Sequence, residues 1–288
     1  MVADGRWTRL HQGHAATAGD LESDTRWRLE VLALLAAHRR TLVLAHGSAA
    51  RAWRLPVPLG GWGDITFLAT SGPTRRRAGA VVRVAPLDSS DVTLLGRVAV
   101  TTPQRTIADC ARNLPGRDAL AMADHALRVG LVTHAQLQSA VEAQQGWPGA
   151  KQARRVLSLA DGRRETPIES WSAWTFEELG VPRPRWQVTV LDADGGFVGR
   201  VDALWEGHLA GEADGRAKYG ANGQGPDDVV AAVHAERRRE TGLRRTGLGV
   251  ARWGTPDLLS PRRAIALALH IGRELTVDRA VSARLLEL

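Results

Sequence analysis

The chain predicts a mixed α/β (α+β) protein built in two units. Three observations carry that expectation. Its 288 residues exceed the usual single domain, so two are expected. The first part mixes amphipathic helical runs with short β-branched runs. The second part alternates in the order helix, three strands, helix, strand, an αβββαβ pattern. Between them the polar segment DGRRE, Asp161 to Glu165, breaks the periodicity. The units are therefore 1–160, a basic α/β domain, and 161–288.

In the first unit, Trp27 to His38 (WRLEVLALLAAH) repeats apolar residues at three and four, the mark of an amphipathic helix. A short helix over Ser48 to Arg54 precedes the Pro- and Gly-rich break Pro56 to Gly63. Asp64 to Ala69 (DITFLA) and Ala80 to Pro86 (AVVRVAP) read as strands, with Arg75, Arg76 and Arg77 on the turn between them. Thr102-Pro103 is a helix start: the hydroxyl is expected to accept an orphan amide and proline to preset the first turn. That helix runs to about Arg112. Asp118 to Val129 and Thr133 to Gln145 give two more, joined at Gly130, and Pro148 to Asp161 a further one with Lys151, Arg154 and Arg155 on its surface.

In the second unit, Thr166 to Leu179 is a helix ended by Gly180 and Pro182. Trp186 to Leu191, Phe197 to Leu204 and Leu209 to Asp214 are strands, separated by turns at Asp194-Gly195-Gly196 and Glu206-Gly207-His208. A long polar-faced helix is expected over Asp227 to Thr246, a strand over Leu248 to Trp253, and a closing helix over Pro261 to Glu274.

Charge divides as the pattern does. Residues 1–160 hold 20 Lys and Arg against 12 Asp and Glu, and residues 161–288 hold 18 against 19. The excess of +8 in the first unit favours contact with a polyanion, with Arg75, Arg76, Arg77, Arg154 and Arg155 as candidate phosphate contacts. No run reaches the roughly 20 apolar residues of a membrane span, and the start lacks a signal-peptide core. The single cysteine, Cys110, forms no internal disulfide and cannot build a cysteine metal site; its apolar helical setting makes it a core thiol. A cytoplasmic protein is expected. P-loop and G-x-S-x-G motifs are lacking, and no histidine pair shows zinc-ligand spacing with a carboxylate.

The chemistry gathers in RVDALWEGHLAGEADGR, Arg200 to Arg216. With a turn centred on Gly207, Asp202 lies opposite Glu212, and Glu212 and Asp214 share a face. A two-residue turn would instead put Asp202 on the other face. Carboxylates facing one another are destabilising without a cation, and hard oxygen donors select Mg2+ or Mn2+. Glu169 fits a capping box, with Thr166 as the cap and Glu169 reaching back to its amide. His234, Glu236 and Arg237 fall on the long helix.

The runs TPIES, VGRVDALW, GEADGRAKY and AERRRETGLRRTGLGVARW, in that order, resemble the C-terminal domain of actinobacterial proteins related to the very-short-patch-repair endonuclease, within the PD-(D/E)xK superfamily. HGSAARAWRLP, DITFLAT and VAVTTPQRTIADCARNLP resemble the domain before it in AbiEi-family (type IV toxin–antitoxin) antitoxins. The opening GRWTRLHQGH resembles only the wing end of the winged helix-turn-helix that usually comes first. The resemblance implies a restriction-endonuclease-like fold, with Asp202 and Glu212 as the strand acids, Glu169 as the first-helix acid and Mg2+ as cofactor. Asp214 stands where the superfamily commonly has lysine, and Lys218 or Arg216 is left to supply positive charge. The expected function is a metal-dependent DNA endonuclease with a basic nucleic-acid- or partner-binding domain. The alternative is a non-catalytic AbiEi-like antitoxin or transcriptional regulator with a degenerate nuclease fold, with DNA and a cognate toxin as its partners.

Overall fold

The structure, a computed structural model, describes residues 7–11, 14–17, 22–38, 41–77, 79–206, 208–215 and 241–287. A hairpin of β1 (Trp7–His11) and β2 (His14–Thr17) opens the chain. Helix α1 (Ser23–Ala37) begins four residues ahead of Trp27 and buries Val31, Ala33 and Leu34. Then come β3 (Val43–Leu44), α2 (His46–Ala52), β4 (Ile65–Ala69), β5 (Arg75–Arg77), β6 (Ala80–Val84), β7 (Val92–Leu95) and β8 (Val98–Thr101). They form a mixed six-stranded sheet in the order β5-β6-β4-β3-β8-β7.

The three arginines are not a turn tip. Arg75, Arg76 and Arg77 are themselves the edge strand β5, antiparallel to β6, while β4 and β6 run parallel. A direct hairpin would make β4 and β6 antiparallel; here the connecting chain crosses over and pairs with the other side of β6. The hairpin β7–β8 turns at Gly96-Arg97, with Leu95 opposite Val98.

Four helices follow: α3 (Pro103–Asn113), α4 (Gly116–Arg128), α5 (His134–Glu142) and α6 (Ala150–Leu159). The Thr102 hydroxyl does not accept a cap hydrogen bond; proline at the first turn sets the start without it. Thr133 does form a capping box, exchanging hydrogen bonds with Gln136 at 2.8 and 3.2 Å.

The second sheet follows α7 (Pro167–Leu179), which Gly180 ends in the left-handed conformation. Strands β9 (Arg185–Leu191), β10 (Phe197–Trp205), β11 (Leu209–Asp214), β12 (Gly249–Gly254) and β13 (Arg284–Glu287) lie in the order β12-β11-β10-β9-β13. Of the expected long helix, residues 241–245 are described and helical. Helices α8 (Thr255–Leu259) and α9 (Pro261–Leu275) close over the sheet, and β13 pairs with the outer side of β9. The order α7-β9-β10-β11-helix-β12 is the αβββαβ arrangement, with β11 and β12 parallel.

One hydrophobic core runs across residue 161. It joins Leu120, Met122 and Ala126 of α4 to Trp171 and Trp174 of α7, and onward to Trp205, Trp253 and Ile271. A Cβ on Gly116 would stand 2.2 Å from the Trp174 ring, so glycine there lets α4 approach α7. Phe176, Trp205 and Trp253 meet edge to face at 5.3 to 6.1 Å. The buried indoles donate to Pro182 O and Ser172 Oγ, each at 2.7 Å. Beneath them Asp124 accepts from Arg164 at 2.6 and 2.8 Å and from Ser170 at 2.6 Å, a buried ion pair tying α4 to the α7 side.

Candidate functional site

The site lies on β9, β10 and β11 beside the start of α7. Turn length decides its register: Trp205 pairs with Leu209, Leu204 with Ala210 and Ala203 with Gly211. Continued one rung beyond these paired residues, the same register would set Asp202 against Glu212. There the backbone ladder stops, and Asp202 Oδ2 accepts the amide of Ala213 at 2.8 Å. Gly211 is needed in the strand because a Cβ would come within 2.7 Å of both Trp205 and Trp253. The tryptophan cluster thus backs the strand that carries the acid.

Glu212 is 2% exposed and Asp202 half-buried, whereas Asp214 is exposed at the end of β11. Glu169, also 2% exposed, comes in from the first turn of α7. Its carboxylate accepts from the Thr166 hydroxyl at 2.6 Å, the Glu165 amide at 3.0 Å and Gln187 Nε2 at 2.8 Å. The expected capping box is therefore altered. Glu169 does reach back, but to the Glu165 amide, and Thr166 donates to it instead of accepting. Burial pushes the Glu169 carboxyl above its ordinary range, against these three donors, and nearby Asp202 adds to the rise.

Gln187 holds the two acids together. Its Nε2 also donates to Asp202 Oδ1, at 3.3 Å. So the structure brings Glu169 and Asp202 to one glutamine and places Asp202 and Glu212 on the neighbouring strands β10 and β11. It does not gather Asp202, Glu212 and Asp214 into a compact set: among the described residues no group of three His, Cys, Asp or Glu is placed to hold a metal ion. Mg2+ is commonly held by only one or two carboxylates, with waters and substrate phosphate completing its shell. The pair Asp202 and Glu212, hard oxygen donors on neighbouring strands, fits such an ion.

Two residues went unseen in the sequence. Gln187 looks like an ordinary polar position in a strand. Arg252 stands in register with Glu212 through the parallel pairing of β11 and β12, a long-range relationship that local spacing does not reveal. Lys218, Arg216, His234, Glu236 and Arg237 lie outside the described residues.

The basic candidates fare unequally. Arg75 and Arg154 are exposed. Arg76 pairs with Asp64 at 2.6 Å and stays 77% exposed. Arg155 lies over the Trp174 ring at 4.5 Å and reaches Glu178 at 3.7 Å, so it belongs to the packing of α6 on α7. Cys110 is buried, and burial pushes its thiol well up, as suits a core thiol.

Two curated relatives share part of this chain. Both are uncharacterized proteins of Mycobacterium tuberculosis, one from strain CDC 1551 / Oshkosh and one from strain ATCC 25618 / H37Rv. Each is 37% identical over 110 residues, which is 38% of this chain and 40% of the relative. The match thus spans about two fifths of the relatives' length. No family model and no solved structure matches the chain. No helix among the described residues is long and apolar enough to cross a membrane.

Proposed function

We propose that residues 161–288 form a metal-dependent nuclease unit of the PD-(D/E)xK kind, and that the basic residues of 1–160 meet nucleic acid. The arrangement that carries this reading is Asp202 and Glu212 on the neighbouring strands β10 and β11, with Glu169 joined to Asp202 through Gln187. The order of elements around it supports the same reading. Asp202 and Glu212 would hold Mg2+ or Mn2+, whose chemistry when bound is to polarise a phosphate and acidify a water. The chain's own part is to place the carboxylates on a rigid sheet, exclude water behind Glu212 with the tryptophans, and offer positive charge to the phosphate. Arg252, in register with Glu212, joins Lys218 and Arg216 as a source of that charge.

A second reading is favoured by one observation. Asp202 and Glu169 already spend their oxygens on Ala213, Gln187, Thr166 and Glu165. Acids so satisfied also suit a nuclease fold kept as a scaffold, in a regulator or antitoxin acting with a toxin protein.

Nicking of supercoiled and single-stranded DNA with Mn2+ separates the two. The nuclease reading expects cleavage that Glu212→Gln removes while DNA binding persists. Lys218→Ala or Arg252→Gln should slow it by roughly a hundredfold, the scale of losing one charge-stabilising donor. Cleavage surviving Glu212→Gln would point to a contaminant, and none by wild type would favour the scaffold.

A further inference from the structure

Gln187 sits in the middle of β9 with φ +56, a left-handed conformation that side-chain-bearing residues rarely hold. It is 5% exposed. A carboxamide has two N–H donors and one oxygen. Here the nitrogen faces Glu169 Oε2 at 2.8 Å and Asp202 Oδ1 at 3.3 Å. Reversing the amide would set its oxygen against two carboxylates, so its orientation is fixed. That leaves Oε1 buried and without a hydrogen-bond partner among the described residues. A strained backbone and an unsatisfied buried oxygen on one residue are costs that packing alone does not explain.

We propose that Gln187 is the positioning residue of the acidic centre. Its carboxamide ties Asp202 to Glu169, and its Oε1 is a neutral oxygen held ready for the hydration shell of a divalent ion. This rests on the reading of Asp202 and Glu212 as the residues that hold such an ion. Asp202 has one oxygen fixed by Gln187 and the other by the Ala213 amide, so its carboxylate plane is set from both sides. Glu169 is joined to Asp202 through the glutamine. It acts as the anchor that keeps the amide from turning, as outer-shell carboxylates orient the ligands of metal sites.

The test uses the full chain with Mg2+ alone as the probe. Calorimetry measures affinity, and 15N NMR follows the Gln187 carboxamide. In wild type the carboxamide protons should exchange slowly, and their signals should shift as Mg2+ is added. Gln187→Gly suits the left-handed backbone and Gln187→Leu keeps the bulk. Whichever of them retains the wild-type fold should bind Mg2+ roughly 10- to 100-fold more weakly, the scale of losing an outer-shell partner. Wild-type affinity in a folded variant would overturn the positioning role. A control in Asp202→Asn separates the two ideas. If the Mg2+ response is absent from wild type or survives in Asp202→Asn, the underlying reading fails and the positioning role goes with it.

Discussion

The side chain of Asp202 accepts the backbone amide of Ala213 at 2.8 Å, one rung beyond the last paired residues of β10 and β11. The carboxylate therefore ends the ladder. Asp202→Asn keeps an oxygen for the Ala213 amide and removes a charge beside two other acids. Its metal-free melting temperature should stay close to that of wild type, the lost Gln187 hydrogen bond offsetting the relieved repulsion. Mg2+ or Mn2+ should raise the melting temperature of wild type, because a ligand binding only the folded state stabilises it. The substitution should abolish that increment. Equal increments in both proteins would remove Asp202 from the site.

The arginines divide into two groups by what they touch. Arg75→Ala and Arg154→Ala should weaken duplex DNA binding and flatten its salt dependence, each by about one phosphate contact, with stability unchanged. Arg155→Ala should instead cost about 0.5–1 kcal/mol of stability through the lost Trp174 contact. Titrations at several salt concentrations, beside urea denaturation, make the distinction. An identical salt slope in wild type and Arg154→Ala would exclude that arginine from the interface.

Asp124 and Arg164 are each 3% exposed or less at their side chains and bind one another across residue 161. Asp124→Ala leaves Arg164 buried without its carboxylate, which should cost about 3–5 kcal/mol. Because the pair and the core join both parts, urea unfolding followed by tryptophan fluorescence and by circular dichroism should shift together. Two separate transitions would show that the parts fold independently.

His46 opens α2 with φ +52, and burial pushes its imidazole down to about 4. Asp109 opposes that fall, while Arg83, Arg112 and Arg105 reinforce it. An unfolded histidine takes its proton near 6.5, so between those values the unfolded chain binds more protons than the folded one. This contribution is fully present above pH 6.5 and is lost as pH falls towards 4. His46→Asn tolerates the left-handed backbone and should flatten the fall of melting temperature across that window. An unchanged slope would assign the acid sensitivity to other groups.

The second sheet was largely legible in the sequence because its signals are local. The strand over Leu209 to Asp214 was readable, and the register from Trp205–Leu209 to Ala203–Gly211 is the one a turn centred on Gly207 predicts. What escaped depends on distant chain. Arg252 meets Glu212 only through a parallel crossover, and β13 exists only because the outer side of β9 accepts it. Gln187 is hidden for another reason: its role comes from a backbone angle that no side-chain pattern encodes. Glu169 lay between. Its reach back to the helix start was readable, its partners were not.

The placement of Arg75–Arg77 has a consequence for self-association. Strand β5 is one border of the first sheet and β7 is the other. A border strand offers unpaired amides and carbonyls to any extended chain, and consecutive charges there repel a like copy. The β7 border carries no such guard and exposes Leu94 at 69% and Leu95 at 40%. The sheet thus has one closed and one open margin. Two copies joined edge to edge at β7 would each turn the arginine border of this sheet outward, where like charges oppose a further copy.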